Sequence, residues 1–262
     1  MAIVAGIDVG SLTGKCVLLD DKKKIVASSI SLVGSHSRKA GERVLSEALD
    51  KAGLHLEDIS YVISTGYGRD VVPVANAQIT EISCHAKGAN FFCPEVKTVI
   101  DIGGQDSKAI SVGEKGAVLD FNTNDKCAAG SGRFLEVMAH ALEVKLEDMG
   151  RLSLQSSKKI EISSMCTVFA ETEVVGLVAR EERVEDIIAA IHYSLARRTA
   201  NMVMRIGIKE KVMMTGGVAK NIGMLHYLKD FIGAPLIVAE NPQIVGAVGA
   251  ALIALERTEQ QA

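Results

Sequence analysis

Two stretches of the chain decide its fold, because the second repeats the pattern of the first. They are GIDVGSLTGKCVLLDDKKKIVAS, residues 6–28, and VIDIGGQDSKAISVGEKGAVLDF, residues 99–121. Each predicts an apolar strand, a small turn followed by a lysine, and two further strands. The positions that match are an aspartate, a glycine and a lysine in each copy: Asp8 and Asp101, Gly10 and Gly103, Lys15 and Lys108. The repeat predicts a duplicated α/β fold in which each half begins with a three-strand meander.

The aspartate and the glycine of each copy indicate phosphate chemistry. A glycine just after an aspartate at the end of a strand lets backbone N–H groups approach phosphate oxygens closely. The aspartates would then hold a hydrated Mg²⁺ ion without enclosing it. Two such turns, facing each other across a cleft, would bind the β- and γ-phosphates of a nucleotide from both sides. The alternative is that both aspartates only close turns.

The composition narrows the classes of function. The 262 residues include 29 basic and 32 acidic side chains, for a net charge of −3. Because there is no basic stripe, we expect no nucleic-acid partner. No apolar run reaches about 18 residues, so we expect no membrane span, and residues 1–10 predict a strand rather than a signal segment. The five cysteines are odd in number and widely spaced, which favours a reducing cytoplasm over a disulfide framework.

The duplication resembles the superfamily of ATPases that contains actin, the sugar kinases and Hsp70, built from two ribonuclease-H-like halves around a nucleotide cleft. That resemblance implies a third element, a glycine pair near the C-terminus that receives adenosine. VMMTGGVAKN, residues 212–221, supplies Gly216, Gly217 and Asn221 between an apolar strand and a helix. We expect residues 1–94 and a C-terminal helix within residues 243–262 to form the first half. Residues 95–242 would form the second half, which carries the cysteines considered next.

Two of the cysteines stand directly before predicted helical segments. Cys127 precedes a Gly-Ser-Gly turn and an amphipathic pattern, and Cys166 precedes an apolar helical run. Unpaired N–H groups and the helix dipole favour a thiolate at a helix N-terminus, so both positions suit an electron-rich metal cluster. From the residues alone, a ligand, a nucleophile and a structural thiol all stay open. Two cysteines do not complete a four-cysteine site, but a two-fold dimer would supply four.

The other three cysteines carry weaker signals. Cys16 lies within an apolar strand and is expected in the core. Cys84 and His85 are neighbours on a predicted helix, so their side chains point in different directions and we expect no metal pair there. Cys93 is assigned no role.

Four motifs together make the resemblance more specific. NDKCAAGSGRFLEVMA, SSMCTVFAETEVV, DIGGQDSK and TGYGR occupy residues 124–139, 163–175, 101–108 and 65–69. In this combination the chain is similar to the ATP-dependent activators (component A) of 2-hydroxyacyl-CoA dehydratases. The wider family includes ATPase subunits of benzoyl-CoA reductase and reductases of double-cubane-cluster proteins. One departure is Leu12, which stands where the family usually has a hydroxyl residue, and Thr13 would replace that hydroxyl.

The resemblance implies a cofactor, a mechanism and partners. It implies a homodimer bridged by one [4Fe-4S] cluster, with Cys127 and Cys166 of each chain as ligands. It also implies that hydrolysis of ATP to ADP drives single electrons to an iron–sulfur acceptor protein, with a ferredoxin or flavodoxin as donor. Gly130, Ser131 and Gly132 would approach the nucleotide while Cys127 holds the cluster. One loop would then link the state of the phosphates to the geometry of the cluster.

The predicted site residues form three groups. The catalytic group is Asp8, Asp101, Gln105 and Asp106. Gln105 and Asp106 would orient the attacking water, with a contact to the hydration shell of Mg²⁺ as the alternative for Asp106. The nucleotide-binding group is Gly10, Ser11, Thr13, Lys15, Gly103, Gly104, Gly130, Ser131, Gly132, Arg133, Glu136, Gly216, Gly217, Asn221 and Gln243. The metal-binding group is Cys127 and Cys166. Arg133 would contact phosphate or the dimer partner, with a solvated charge as the alternative.

Two other functions are compatible with the same fold. A small-molecule kinase needs the phosphate turns and the adenosine glycines, but it does not need cysteines at helix starts. A non-redox ATPase scaffold would use the cysteines only for structure. Iron content separates both from the electron-transfer hypothesis, and a phosphorylated product separates the kinase from the scaffold.

Overall fold

The chain forms two mixed five-stranded sheets of the same topology, as seen in a computed structural model that describes residues 2–163 and 166–261. Residues 164 and 165, within the second cysteine motif, lie outside the described part. The strands of the first sheet are β1 (Ile3–Val9), β2 (Thr13–Asp20), β3 (Ile25–Leu32), β4 (Ile59–Thr65) and β5 (Ala77–Gln78). Their order is β3-β2-β1-β4-β5, with β1 antiparallel to β2 and parallel to β4.

The second sheet repeats this arrangement strand for strand. Its strands are β6 (Thr98–Ile102), β7 (Ser107–Val112), β8 (Val118–Asn124), β9 (Val212–Thr215) and β10 (Leu236–Val238). Their order is β10-β9-β6-β7-β8, with β6 antiparallel to β7 and parallel to β9. The duplicated meander predicted from the sequence is confirmed in both halves.

Helices connect the strands and cover the sheets. They are α1 (Ser37–Ala52), α2 (Glu81–Phe92), α3 (Gly132–Ala141), α4 (Leu146–Ser153), α5 (Thr167–Ala179), α6 (Val184–Met204), α7 (Ile222–Ile232) and α8 (Val245–Gln261). Helix α1 ends at Gly53, which closes it in the left-handed conformation at φ 65°. No helix among the described residues is long and apolar enough to cross a membrane.

Helices α2 and α8 form a layer between the two sheets. The first sheet packs against α1 on one face and α8 on the other. Buried residues of α2 join both the core that contains α8 and the core of the second sheet. Because α2 contacts both halves, the boundary expected near residue 94 stays a prediction. On the far face of the second sheet, α3–α7 complete the largest core.

The two repeat aspartates point toward the layer of α2 and α8, because side chains alternate between the two faces along the first strand of each sheet. In β1, Ile7 belongs to the core under α1, whereas Val4 packs with α8. Asp8 lies on the face of Val4, because successive side chains of a strand point to opposite faces. In β6, Val99 packs with α2, and Asp101 lies on the same face. Both carboxylates therefore face the space between the sheets.

Candidate active site

Each repeat closes its first strand with the same tight turn. In the first turn the N–H of Gly10 donates to the carbonyl of Thr13 at 3.1 Å. In the second turn the N–H of Gly103 donates to the carbonyl of Asp106 at 2.9 Å. The turns approach each other across the cleft, since Leu12 Cδ1 lies 2.6 Å from where a Cβ of Gly104 would stand.

The same ion pair follows each turn. Asp8 lies opposite Lys15 in the β1–β2 ladder, and Asp101 lies opposite Lys108 in the β6–β7 ladder. The lysine Nζ atoms approach the carboxylates at 3.2 Å in the first pair and 3.4 Å in the second. Because directly opposite residues in an antiparallel ladder have adjacent side chains, the seven-residue spacing of Asp and Lys encodes the pair.

The second pair is extended into a buried cluster of charges. Lys108 also contacts Asp106, and its Nζ lies 3.5 Å from Glu81 Oε1. Burial lowers the pKa of Lys108, but the three surrounding carboxylates more than offset this and raise it above its ordinary value. Burial also raises the pKa of Glu81, against the effect of Lys108. Lys108 therefore stays a cation that balances several carboxylates at the base of the cleft.

Asp101 is held as an anion by donors on several sides. Thr215, at the end of β9, donates its hydroxyl to Asp101 Oδ1 at 2.8 Å. His85 Nδ1 lies 3.5 Å from the same oxygen. Burial alone would raise the pKa of Asp101, but His85, Lys108 and Thr215 together lower it to about 2. An ionised, buried carboxylate at the cleft is a suitable hard-oxygen neighbour for a hydrated divalent cation.

A glycine with positive φ follows the parallel strand beside each aspartate. Gly66 follows β4 with φ +86°, and Gly216 follows β9 with φ +84°. A Cβ on Gly66 would stand 2.5 Å from Asp8 Oδ1, and one on Gly216 would stand 2.8 Å from Asp101 Oδ1. Only glycine fits both the conformation and the space, so the repeat extends to a fourth strand in each half.

A cleft of ≈ 610 Å³ opens between the two turns. It brings together most of the residues predicted for catalysis and nucleotide binding: Asp8, Gly10, Ser11, Thr13, Lys15, Asp101, Gly103, Gly104, Asp106, Gly132, Glu136, Gly216, Gly217, Asn221 and Gln243. Four predicted residues lie outside this lining: Gln105, Gly130, Ser131 and Arg133. Gln105 is exposed, and Gly130 and Ser131 are buried. Arg133 is exposed and pairs with Glu136 at 2.9 Å.

The far end of the cleft is formed by the second glycine segment. The N–H of Gly216 donates a hydrogen bond to the carbonyl of Pro242 at 3.0 Å, which fixes the position of this glycine. Asn221 caps α7, where its side chain accepts from the N–H of Met224 at 3.0 Å. The same Asn221 oxygen lies 3.0 Å from Nε2 of His192 on α6. The amide is thereby anchored to two helices while it lines the cleft.

The cysteine segment is joined directly to the second phosphate turn. Cys127 begins a short 3₁₀ turn that leads into α3, and Cys166 precedes α5. The first two N–H groups of α3 donate to carbonyls of the turn that follows β6. The N–H of Gly132 donates to Gly103 at 2.9 Å, and the N–H of Arg133 donates to Gly104 at 2.8 Å. Such N–H groups have no partner within their own helix.

Cys127 and Cys166 share one neighbourhood. Both thiols are exposed, and both act electrostatically on the same half-buried guanidinium, that of Arg198 on α6. Burial lowers the pKa of Arg198, and the two cysteines oppose that shift. Arg198 also donates to the carbonyl of Ala129 at 3.0 Å, two residues after Cys127. Cys16 is buried in the first core, as predicted.

Sequence reasoning missed the side chains that enter the cleft from α2 and α4. Glu81 and His85 line the base of the cleft, and Glu147 and Arg151 line one wall. Glu81 and His85 are four residues apart, the spacing that places two side chains on one helical face, and this was the available signal. Gly66 had a signal as well, because a Thr-Gly dipeptide ends both β4 and β9.

Comparisons with known proteins agree with this geometry. The chain is 48% identical over 256 residues, 98% of either sequence, to the activator of lactoyl-CoA dehydratase of Anaerotignum propionicum. The crystal structure of (R)-2-hydroxyglutaryl-CoA dehydratase component A from Acidaminococcus fermentans superposes with a TM-score of 0.95 at 46% identity, over 99% of this chain and 100% of that one. The activator of 2-hydroxyisocaproyl-CoA dehydratase from Clostridium difficile, with bound ADPNP, gives a TM-score of 0.93 at 44% identity, over 99% of this chain and 96% of that one.

More distant structures bear on the fold alone. A ROK family glucokinase from Streptomyces griseus gives a TM-score of 0.60 at 13% identity over 97% of this chain and 100% of that one. This confirms the fold predicted from the duplication, that of the actin, sugar-kinase and Hsp70 ATPases. The model of the BadF/BadG/BcrA/BcrD ATPase family matches residues 5–254. With nearly its whole length matched, the chain belongs to the BadF/BadG/BcrA/BcrD ATPase family.

Proposed function

We propose that the chain is an ATP-hydrolysing activator that passes single low-potential electrons to a partner iron–sulfur enzyme, such as a 2-hydroxyacyl-CoA dehydratase or a double-cubane-cluster protein. The observation that carries the proposal is the pair of hydrogen bonds from the start of α3 to Gly103 and Gly104. Through these hydrogen bonds, a displacement of the turn at Gly103 and Gly104 would move the start of α3 and, with it, the adjoining segment of Cys127. Three relatives are named as activators of 2-hydroxyacyl-CoA dehydratases, and these names support the same function.

The nucleotide is bound by the two turns and the glycine pair. Backbone N–H groups of the turns would face the β- and γ-phosphates, and Asp8 and Asp101 would hold the hydration shell of Mg²⁺. The carboxylates fit this ion because they are hard oxygen ligands directed into one cleft. Asp106 or Gln105 would orient the attacking water. Adenosine would lie against Gly216, Gly217 and Asn221.

The cysteines fit a cluster shared between two chains. Thiolates are the ligands of iron–sulfur clusters, and a [4Fe-4S] cluster takes four of them. Cys127 and Cys166 are both exposed, and both act electrostatically on Arg198. Within residues 2–163 and 166–261 no group of three or more His, Cys, Asp or Glu side chains could hold a metal ion. Because Cys127 and Cys166 are two of the four ligands, one chain would supply two and a second copy the other two; when bound, the cluster supplies a one-electron donor.

The surface beside Cys166 supports a homodimer. Helix α5 exposes four large apolar side chains: Val168, Phe169, Val175 and Val178. An apolar helix face of this kind is typical of a surface that another protein covers. The electron donor, a ferredoxin or flavodoxin, is carried over from the family resemblance. A reducing cytoplasm is supported by the five cysteines, each of which is described and free.

Anaerobic purification followed by iron and sulfide analysis, native mass and ATP turnover tests the proposal. We expect about four irons per dimer, lost in Cys127→Ala and retained in Cys93→Ala, because only the first removes a cluster ligand. ATP turnover without iron after reconstitution of the wild-type protein would contradict electron transfer. A phosphorylated small molecule formed from ATP would identify a kinase instead.

A further inference from the structure

His85 is a buried residue of the cleft to which the nucleotide-binding arrangement above gives no part. It lies on α2, one turn after Glu81, and only 6% of its surface is exposed. Its neighbour Cys84 turns away into the core formed with α8. The imidazole is therefore directed from the layer between the sheets toward the two repeat aspartates.

The hydrogen bonds of Thr215 determine where His85 carries a proton. Thr215 has a single hydroxyl proton, and its Oγ1 lies 2.8 Å from Asp101 Oδ1. An ionised carboxylate only accepts, so that proton goes to Asp101. The 3.2 Å contact between Oγ1 and His85 Nδ1 then requires Nδ1 to be the donor. The direct separation of Nδ1 and Asp101 Oδ1 is 3.5 Å, so the hydroxyl is the better-placed link.

The other nitrogen of the imidazole lies beside the first half of the molecule. His85 Nε2 is 2.9 Å from the position that a Cβ of Gly246 would take, at the start of α8. Asp8 Oδ2 is 3.3 Å from that same position. One imidazole thus lies between the aspartate of the first repeat and the Thr215–Asp101 pair of the second.

We infer that His85 is a positioning residue of the ATPase site, which orients the Asp101 carboxylate through Thr215 and sets it relative to Asp8. It acts through the hydroxyl of Thr215. The inference rests on the proposed Mg²⁺–nucleotide site. Groups that hydrogen-bond the neighbours of a metal typically change metal affinity or activity when they are removed.

The choice of variants separates positioning from packing. In His85→Asn the amide nitrogen can take the place of Nδ1 and keep the donor to Thr215. In His85→Gln the amide lies nearer to Nε2, and that donor is lost. Thr215→Val removes the link from the other side without changing α2. His226→Asn, on the exposed surface of α7, is the matched control for loss of a histidine.

Metal affinity is measured with Mn²⁺ in place of Mg²⁺, by electron paramagnetic resonance with ADP bound, and ATP turnover is measured in parallel. We expect His85→Gln and Thr215→Val each to weaken Mn²⁺ binding by about 10-fold or more, with ADP binding in the absence of metal unchanged. The double variant should lose no more than the stronger single variant, and His85→Asn should recover most of the affinity. Equal losses in His85→Asn and His85→Gln, or losses that multiply in the double variant, would overturn the inference.

A second readout requires neither metal nor turnover. In protein labelled with ¹⁵N-histidine, long-range proton–nitrogen correlation reports which ring nitrogen is protonated, with His85→Asn for assignment. We expect a proton on Nδ1 of His85. A bare Nδ1 with protonated Nε2 would overturn the inference whatever the ATPase result. If wild-type protein binds Mn²⁺–ADP but never hydrolyses ATP, the proposed function fails while the inference is still decided by these two measurements.

Discussion

Gly66 and Gly216 show how closely the backbone approaches the repeat aspartates. Both have φ values near +85°, and each stands against the carboxylate of its own half. The position of each aspartate therefore depends on a residue contributed by the neighbouring parallel strand. Leu12 has a comparable effect from the opposite turn, because its side chain rests on Gly104.

Replacing Gly216 with alanine is expected to destabilise the protein and displace Asp101. Gly216 has φ 84° and ψ 179°, a backbone region essentially restricted to glycine, which costs another residue about 1–3 kcal/mol. The new Cβ would also meet the Asp101 carboxylate. Gly217→Ala is the matched control, since the nearest atom to its Cβ would be 3.6 Å away. Denaturant unfolding should show the loss for Gly216→Ala and a change within about 0.5 kcal/mol for Gly217→Ala. Equal free energies of unfolding in the two variants would contradict this explanation.

Among the elements, α2, α6 and α7 connect the cleft to the protein interior. Helix α2 directs Glu81 and His85 into the cleft and packs its other faces on both halves. Helix α6 holds the N-terminus of α7 through His192, whose Nδ1 contacts the carbonyl of Ile188 at 2.8 Å while Nε2 contacts Asn221. The end of the cleft that Asn221 lines therefore depends on a buried histidine.

His192 should make stability depend on pH. Burial lowers its pKa below the ordinary value of 6.5. Between the folded and unfolded pKa values the unfolded chain binds more protons, so this contribution is present above 6.5 and is lost as the pH falls through the folded pKa. We expect the thermal midpoint of the wild-type protein to fall more between about pH 7 and pH 5 than that of His192→Asn. His226→Asn should follow the wild type, and a parallel decline of all three proteins would refute the assignment.

For the molecule as a whole, the decisive feature is the direct contact between the turn at Gly103 and Gly104 and the segment that follows Cys127. Helix α3 starts in hydrogen-bond contact with the second phosphate turn and directly follows the segment of Cys127. Arg198 ties that segment to α6 at Ala129. Closure of two halves around a nucleotide would thus reach the cysteine segment through the turn at Gly103 and Gly104.

Arg133→Pro should weaken this coupling. Proline removes the N–H that donates to Gly104 but is tolerated in the first turn of a helix. Arg133→Ala loses the same side chain and keeps the N–H, so it is the matched control. The measurement is the rate of iron removal by a chelator with ADP and with a non-hydrolysable ATP analogue. We expect the nucleotide-dependent difference in rate to shrink in Arg133→Pro alone, and equal behaviour of the two variants would assign any effect to the guanidinium.

Much of the architecture could be predicted from local patterns. The duplicated Asp-Gly-Lys spacing predicted both meanders and the turn that follows the first strand of each, because ladder register and turn chemistry are set within a few residues. The ion pairs of Asp8 with Lys15 and of Asp101 with Lys108 were not predicted, although the same spacing encodes them. The position of Cys166 directly before α5 followed from a local signal in the same way.

Contacts between elements distant in sequence could not be obtained in this way. Three features depend on how whole elements pack. They are the entry of Glu81 and His85 into the cleft, the effect of Cys127 and Cys166 on Arg198, and the hydrogen bonds from α3 to Gly103 and Gly104. Periodicity shows which face of a helix is apolar, but not which sheet covers that face. Strand patterns and turns are local properties of the chain, whereas the site arises where separate elements meet, and that meeting is decided by burial of the common core.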